Sequence, residues 1–86
     1  MITKIRNLKC LKTELAELKR RKWRKGLVIS ALEVANDNVD EGDYGDFTLL
    51  IPNKGDGKYY RFYFSLWDSH DKQDGFYLYY DGYTVE

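Results

Sequence analysis

The chain has 86 residues, with 14 Lys+Arg, 14 Asp+Glu, one Cys and one His. That length supports one hydrophobic core and a single domain over residues 1–86. One Cys excludes an internal disulfide framework, and one Cys with one His leaves a structural zinc site two ligands short. No apolar run approaches the roughly 20 residues of a membrane span. The N-terminus is basic, with Lys4, Arg6, Lys9 and Lys12, and lacks the apolar stretch of a signal peptide, so a cytoplasmic location is expected.

The zero net charge hides a division. Residues 1–25 carry ten basic and two acidic side chains, a balance of +8. Residues 26–86 carry four basic and twelve acidic ones, a balance of −8. An asymmetry of this size is a physical feature that the average conceals.

In chain order, residues 3–24 predict a helix. Ile5, Leu8, Leu11, Leu15 and Leu18 step by three or four along one face, with Lys and Arg around them. Thr3 is the expected N-cap and Gly26 the residue beyond the C-terminus. Lys22, Arg24 and Lys25 then fall in the last turn, where cations complement the helix dipole. Residues 27–35 are balanced between strand and helix; the β-branched Val28, Ile29 and Val34 after a Gly favour a strand. Residues 36–46, rich in Asn, Asp and Gly, predict a loop. Phe47–Ile51 reads as a short buried strand ended by Pro52, followed by the turn chemistry of residues 52–57. Residues 58–67 predict the clearest strand, 68–75 a loop and 76–80 another strand. Asp81-Gly82 signals a hairpin, with residues 83–86 returning.

The expected fold is α+β: one amphipathic N-terminal helix packed on an antiparallel sheet of four or five strands. Its core would be Leu8, Leu11, Leu15, Leu18, Phe47, Leu49, Ile51, Phe62, Phe64 and Leu78.

The strand at residues 58–67 has two faces. Tyr60, Phe62, Phe64 and Leu66 form the natural core face. Tyr59, Arg61, Tyr63, Ser65 and Trp67 point the other way, and Tyr77 and Tyr79 repeat the pattern on the next strand. Tyr, Trp and Arg offer large apolar area with a polar end and are enriched at binding hot spots. Set against that, a loop or the basic segment could cover this face, and cross-strand ring pairs stabilise sheets with no partner at all.

The basic run Lys19–Lys25 offers a second candidate. Arg20, Arg21, Lys22, Arg24 and Lys25 could neutralise phosphates while Trp23 stacks on a base. A solvated helix end gives much of the same pattern, and the acidic remainder of the chain would repel nucleic acid. The acidic stretch with Asp40, Glu41 and Asp43 fails as a calcium loop, because aligning Gly42 places Val39 at a ligand position and Thr48 where Glu is required. Its carboxylates could instead steer towards a basic partner. His70 stands alone among Asp68, Asp71 and Asp74, which falls short of a metal set. Cys10 reads as a half-buried thiol. No phosphate-cradling loop or nucleophile–base arrangement is present, so no enzyme, metal or cofactor is expected.

In size, charge layout and Tyr/Lys/Asp-rich style the chain resembles the small phage-encoded inhibitors of bacterial defence, such as anti-CRISPR proteins. That resemblance implies a protein partner, an RNA-guided nuclease, blocked at its nucleic-acid groove or a recognition lobe. The expected function is therefore a small protein-binding module. Tyr59, Arg61, Tyr63, Trp67, Tyr77 and Tyr79 supply its contacts, and Asp40, Glu41 and Asp43 supply the steering charge. The alternative is a nucleic-acid-binding or regulatory module built on the basic helix. Monomer and homodimer both remain open, the spare aromatic face being one means of pairing.

Overall fold

The computed structural model describes Ile5 and residues 8–20, 23–42, 45–68 and 76–86; of Glu14, Arg24 and Asp68 it describes the backbone alone. The elements are β1 (Leu8–Lys9), α1 (Lys12–Arg20), α2 (Arg24–Asp40), β2 (Gly45–Asn53), β3 (Lys58–Asp68) and β4 (Phe76–Val85). The sheet order is β1-β4-β3-β2. β1 runs parallel to β4, and the other two pairings are antiparallel, so the α+β class holds with a mixed sheet.

The predicted helix over residues 3–24 is divided. Leu8 and Lys9 form a parallel bridge to Leu78 and Tyr79, and the helix begins only at Lys12. Leu18 is buried, but Leu11, expected in the core, is 70% exposed. The spacing of the leucines suits a helix, yet Leu8 lies in a strand and Ile5 and Leu11 lie outside the helix. The Thr3 cap and the loop at residues 69–75 with His70 lie outside the described residues.

The stretch expected to be a strand and then a loop is instead the longer helix, α2. Its buried residues are Leu27, Ala31, Ala35 and Val39, each four positions from the last. Residues four apart share one helix face, so this stripe is what α2 lays on the sheet. Gly26 does not end a helix but lies within the first turn of α2. The glycine that closes a helix is Gly42, with φ of 75° and its N–H donating to the Val39 carbonyl at 3.0 Å.

Two contacts tie the helices to the rest. Trp23 sits at the corner between α1 and α2, its ring edge-on to Tyr60 at 4.7 Å and to Phe62 at 5.5 Å. Asn36, expected in a loop, projects from α2 and brackets Ile5. Its Oδ1 accepts from the Ile5 N–H at 2.8 Å, and its Nδ2 donates to the Ile5 carbonyl at 3.2 Å. The amide thus satisfies both polar groups of a backbone that has left regular structure.

β2 and β3 form a hairpin closed by residues 54–57, as the turn chemistry predicts. Asn53 Oδ1 accepts from the Gly55 N–H, Asp56 Oδ1 accepts from the Lys58 N–H, and Gly57 takes φ of 69°. Pro52 does not end β2; it lies within it, opposite Tyr59. A proline is tolerated there because β2 is an edge strand.

Asp81-Gly82 forms no hairpin. Tyr63 pairs with Gly82 and Phe64 with Tyr80, leaving Asp81 as the extra residue of a bulge inside β4. Gly82 supplies a φ of 122° there. The bulge resets the alternation, so Tyr80 and Tyr83, three residues apart, both face the helices. Tyr83 packs 5.9 Å from Phe62, and its hydroxyl donates to Glu17 of α1 at 3.1 Å.

Leu27→Ala should lower stability by about 3 kcal/mol, the cost of a buried cavity. Leu11→Ala should change it by less than about 0.5 kcal/mol. Urea unfolding of the two variants measures the difference.

Candidate functional site, the open face of the sheet

Both helices supply buried residues to one side of the sheet, where Phe62, Phe64, Leu66 and Leu78 are sealed. The alternation along each strand turns the remaining side chains to the other side. On β3 these are Tyr59, Arg61, Tyr63, Ser65 and Trp67. The register then sets their neighbours. Arg61 lies between Leu50 and Thr84, Tyr63 between Thr48 and Gly82, Ser65 between Asp46 and Tyr79, and Trp67 opposite Tyr77. All six residues expected to form a contact face are therefore assembled on one surface.

That surface is open. Trp67 is 57% exposed and Tyr59 52%, and Tyr63, Tyr79 and Leu50 are also exposed. Tyr77 and Tyr79, two apart on β4, sit with ring centroids 6.1 Å apart and tilted by 46°. Lys9 of β1 places its ammonium 4.4 Å from the Tyr77 ring centre, a cation–π arrangement.

Polar contacts order part of this face. Arg61 forms a two-pronged ion pair with the C-terminal residue Glu86, through Nε and through Nη2 at 3.3 Å. Its Nη1 also donates to Thr48 Oγ1 at 3.1 Å. The hydroxyls of Tyr63 and Thr84 meet at 3.2 Å, and Ser65 donates to the carboxylate of Asp81. The hydrogen bond from Arg61 holds the Glu86 carboxyl below the ordinary glutamate range, with the guanidinium charge adding to the effect. The same partner raises the Arg61 guanidinium above its usual value.

Between β2 and the bulge lies a solvent-open groove of about 640 Å³, bordered by Asp46, Thr48, Tyr63 and Asp81. Asp46, Asp81, Glu86, Lys9, Thr48 and Leu50 were not among the residues the sequence singled out for this face. The alternation in residues 45–53 was a usable signal for three of them, hidden because the apolar run reads as wholly buried. Glu86 and Asp81 required the register across the bulge.

The acidic candidates Asp40 and Glu41 belong to the end of α2 and not to the strands of this surface. Asp40 closes α2 and Glu41 follows it, both exposed. Gly45 lies a few residues on, opposite Leu66 and so next to Trp67. Asp43 lies outside the described residues.

The basic run gains less support. Trp23, expected to stack on a base, instead packs its ring on Tyr60 and Phe62. Arg20 pairs with Glu17 within α1. Lys25 is exposed near the start of α2, while Arg21, Lys22 and the Arg24 side chain lie outside the described residues. Among the described residues no three His, Cys, Asp or Glu side chains gather as a metal site.

A carboxyl held low by its partner stabilises the fold above the unfolded glutamate value of about 4.3 and stops doing so as pH falls through the lower folded value. The Glu86 carboxyl carbon, followed by NMR, should therefore titrate below the ordinary range. In Arg61→Gln it should return to that range.

No family model matches the chain, and no match is found among curated proteins or solved structures.

Proposed function

We propose that this chain is a small, non-enzymatic protein-binding module that docks through the open face of its sheet. One observation carries the reading: Tyr59, Tyr63, Trp67, Tyr77 and Tyr79 lie together on a face turned away from both helices, and four of the five are exposed. Exposed rings in one patch mark interaction surfaces, and Tyr and Trp are the types that dominate binding energy. The sheet already holds their backbones, so binding costs little chain order.

The charges on this face favour a basic protein over nucleic acid. Asp46, Asp81 and Glu86 stand against Arg61 and Lys9. Arg61 is committed to Glu86, and Lys9 lies over Tyr77. A phosphate backbone would meet carboxylates, whereas a partner's Lys or Arg would enter the groove between Asp46, Asp81 and the Tyr63 ring. Asp40 and Glu41, exposed at the end of α2, add negative charge that would speed encounter with a basic surface. A nucleic-acid-binding groove of a host defence nuclease has this character, and occupying it would inhibit the enzyme, in keeping with the resemblance to small phage-encoded inhibitors.

Immobilised chain should capture a protein from a lysate of the source cells, and nuclease treatment should not diminish the capture. The Tyr63→Ala/Trp67→Ala pair, each truncation costing about 2 kcal/mol at a hot spot, should weaken it by well over tenfold. Undiminished capture by the folded double variant would remove this face from the function. Tight binding of labelled single strands that weakens steeply with salt would favour the nucleic-acid reading instead.

A further inference from the structure

A different part of the molecule, the outer edge of β2, is unfinished in two ways. Among the described residues, β2 has a hydrogen-bonded neighbour on one side only. Its helix-facing side chains, Phe47, Leu49 and Ile51, are apolar yet only partly buried, because the sealed core is built on β3, β4 and the helices. Phe47 stacks on Phe64 at 5.2 Å, so its second ring face is turned away from the neighbouring strand. Leu50, on the opposite side of β2, is 48% exposed. A nine-residue edge strand with an apolar centre, Phe47–Ile51, is a template for strand pairing.

We propose that the occupant of this edge is a second copy of the chain, paired β2 to β2 in antiparallel fashion about a two-fold axis at Leu49. The strand is complementary to itself in that register. Leu49 meets Leu49 of the second copy, and Phe47 meets Ile51, all on the helix side. Thr48 meets Leu50 on the open side. Asp46 is the only charged residue in the strand and meets Pro52, so no like charges oppose each other. Pro52 lacks a donor N–H, and the two-fold places that loss at the two ends of the ladder, leaving residues 47–51 to pair. The Phe47–Ile51 contact is made twice and the Leu49 contact once, on the axis, as an isologous interface requires. The product is a continuous eight-stranded sheet whose half-buried edge residues become interior. Its two open aromatic faces lie side by side, so a partner would meet a doubled surface. The proposal does not depend on what those faces bind.

Sedimentation equilibrium of the full chain, from low micromolar to millimolar concentration, tests it. The mass should rise from one chain to two and no further, since pairing consumes the β2 edge. Leu50→Glu should weaken dimerisation by about tenfold or more, because the new carboxylate lies diagonal to its own copy and to Asp46 of the second chain. The same substitution places a carboxylate opposite Arg61, so the monomer should stay folded, as circular dichroism would record. Trp67→Ala, on the open face, should leave dimerisation unchanged. A mass of one chain throughout would overturn the proposal. So would a dimer unaffected by Leu50→Glu, or one abolished by Trp67→Ala, which would move the contact from the edge to the aromatic face.

Discussion

The structure depends on the burial of one row of rings. Phe62 and Phe64, on the middle of β3, are sealed from solvent. Trp23 meets Phe62 edge-on, Tyr80 and Tyr83 flank it, and Phe47 stacks on Phe64. Each ring comes from a different place in the chain: the corner between the helices, the edge strand, and both sides of the bulge. Edge-to-face and tilted pairs of this kind add directional preference to simple area burial. The row therefore fixes where the helices lie and how the strands register.

A chain this short has residues for one helical layer, and its position decides the rest. Covering one side of the sheet leaves the other side open. The outward side chains of β3 and β4 then face away from both helices, and they include four tyrosines, a tryptophan and an arginine. The ion pair between Arg61 and Glu86 and the hydroxyl contacts order this surface without covering it. The same shortage of covering layer leaves β2 half-finished at its edge. Open face and open edge are thus two consequences of one packing limit.

The helix α2 shows how packing overrides local preference. Its first turn carries Arg24 and Lys25 and its last turn carries Asp37 and Asp40, the reverse of what the helix dipole favours. It has no side-chain cap at Trp23, and Gly26 lies near its start. Such unfavourable signals are worth about 0.3 to 1 kcal/mol each. Burying Leu27, Ala31, Ala35 and Val39 together outweighs them.

The sequence by itself determined the α+β class, the turn chemistry within residues 52–57, and the two-sidedness of β3 with its five outward residues. These features follow from a period of two and from turn residues, both of which act over a few positions. The tertiary structure alone decided the rest. Residues 27–35 became a helix because an i, i+4 stripe had a sheet to lie on, although the local signals were balanced between strand and helix. Leu11 left the core because the helix begins only at Lys12, Leu8 and Lys9 pairing with β4 instead of coiling. Asp81-Gly82 became a bulge rather than a turn because a glycine at positive φ serves either, and only the need to turn Tyr83 towards Phe62 and Glu17 chooses between them. Trp23 went inward for the same reason: a ring beside a basic run reads as exposed until its neighbours across the fold are known. Contacts between residues distant in sequence carry the energy in each of these cases, and short-range pattern holds no record of them.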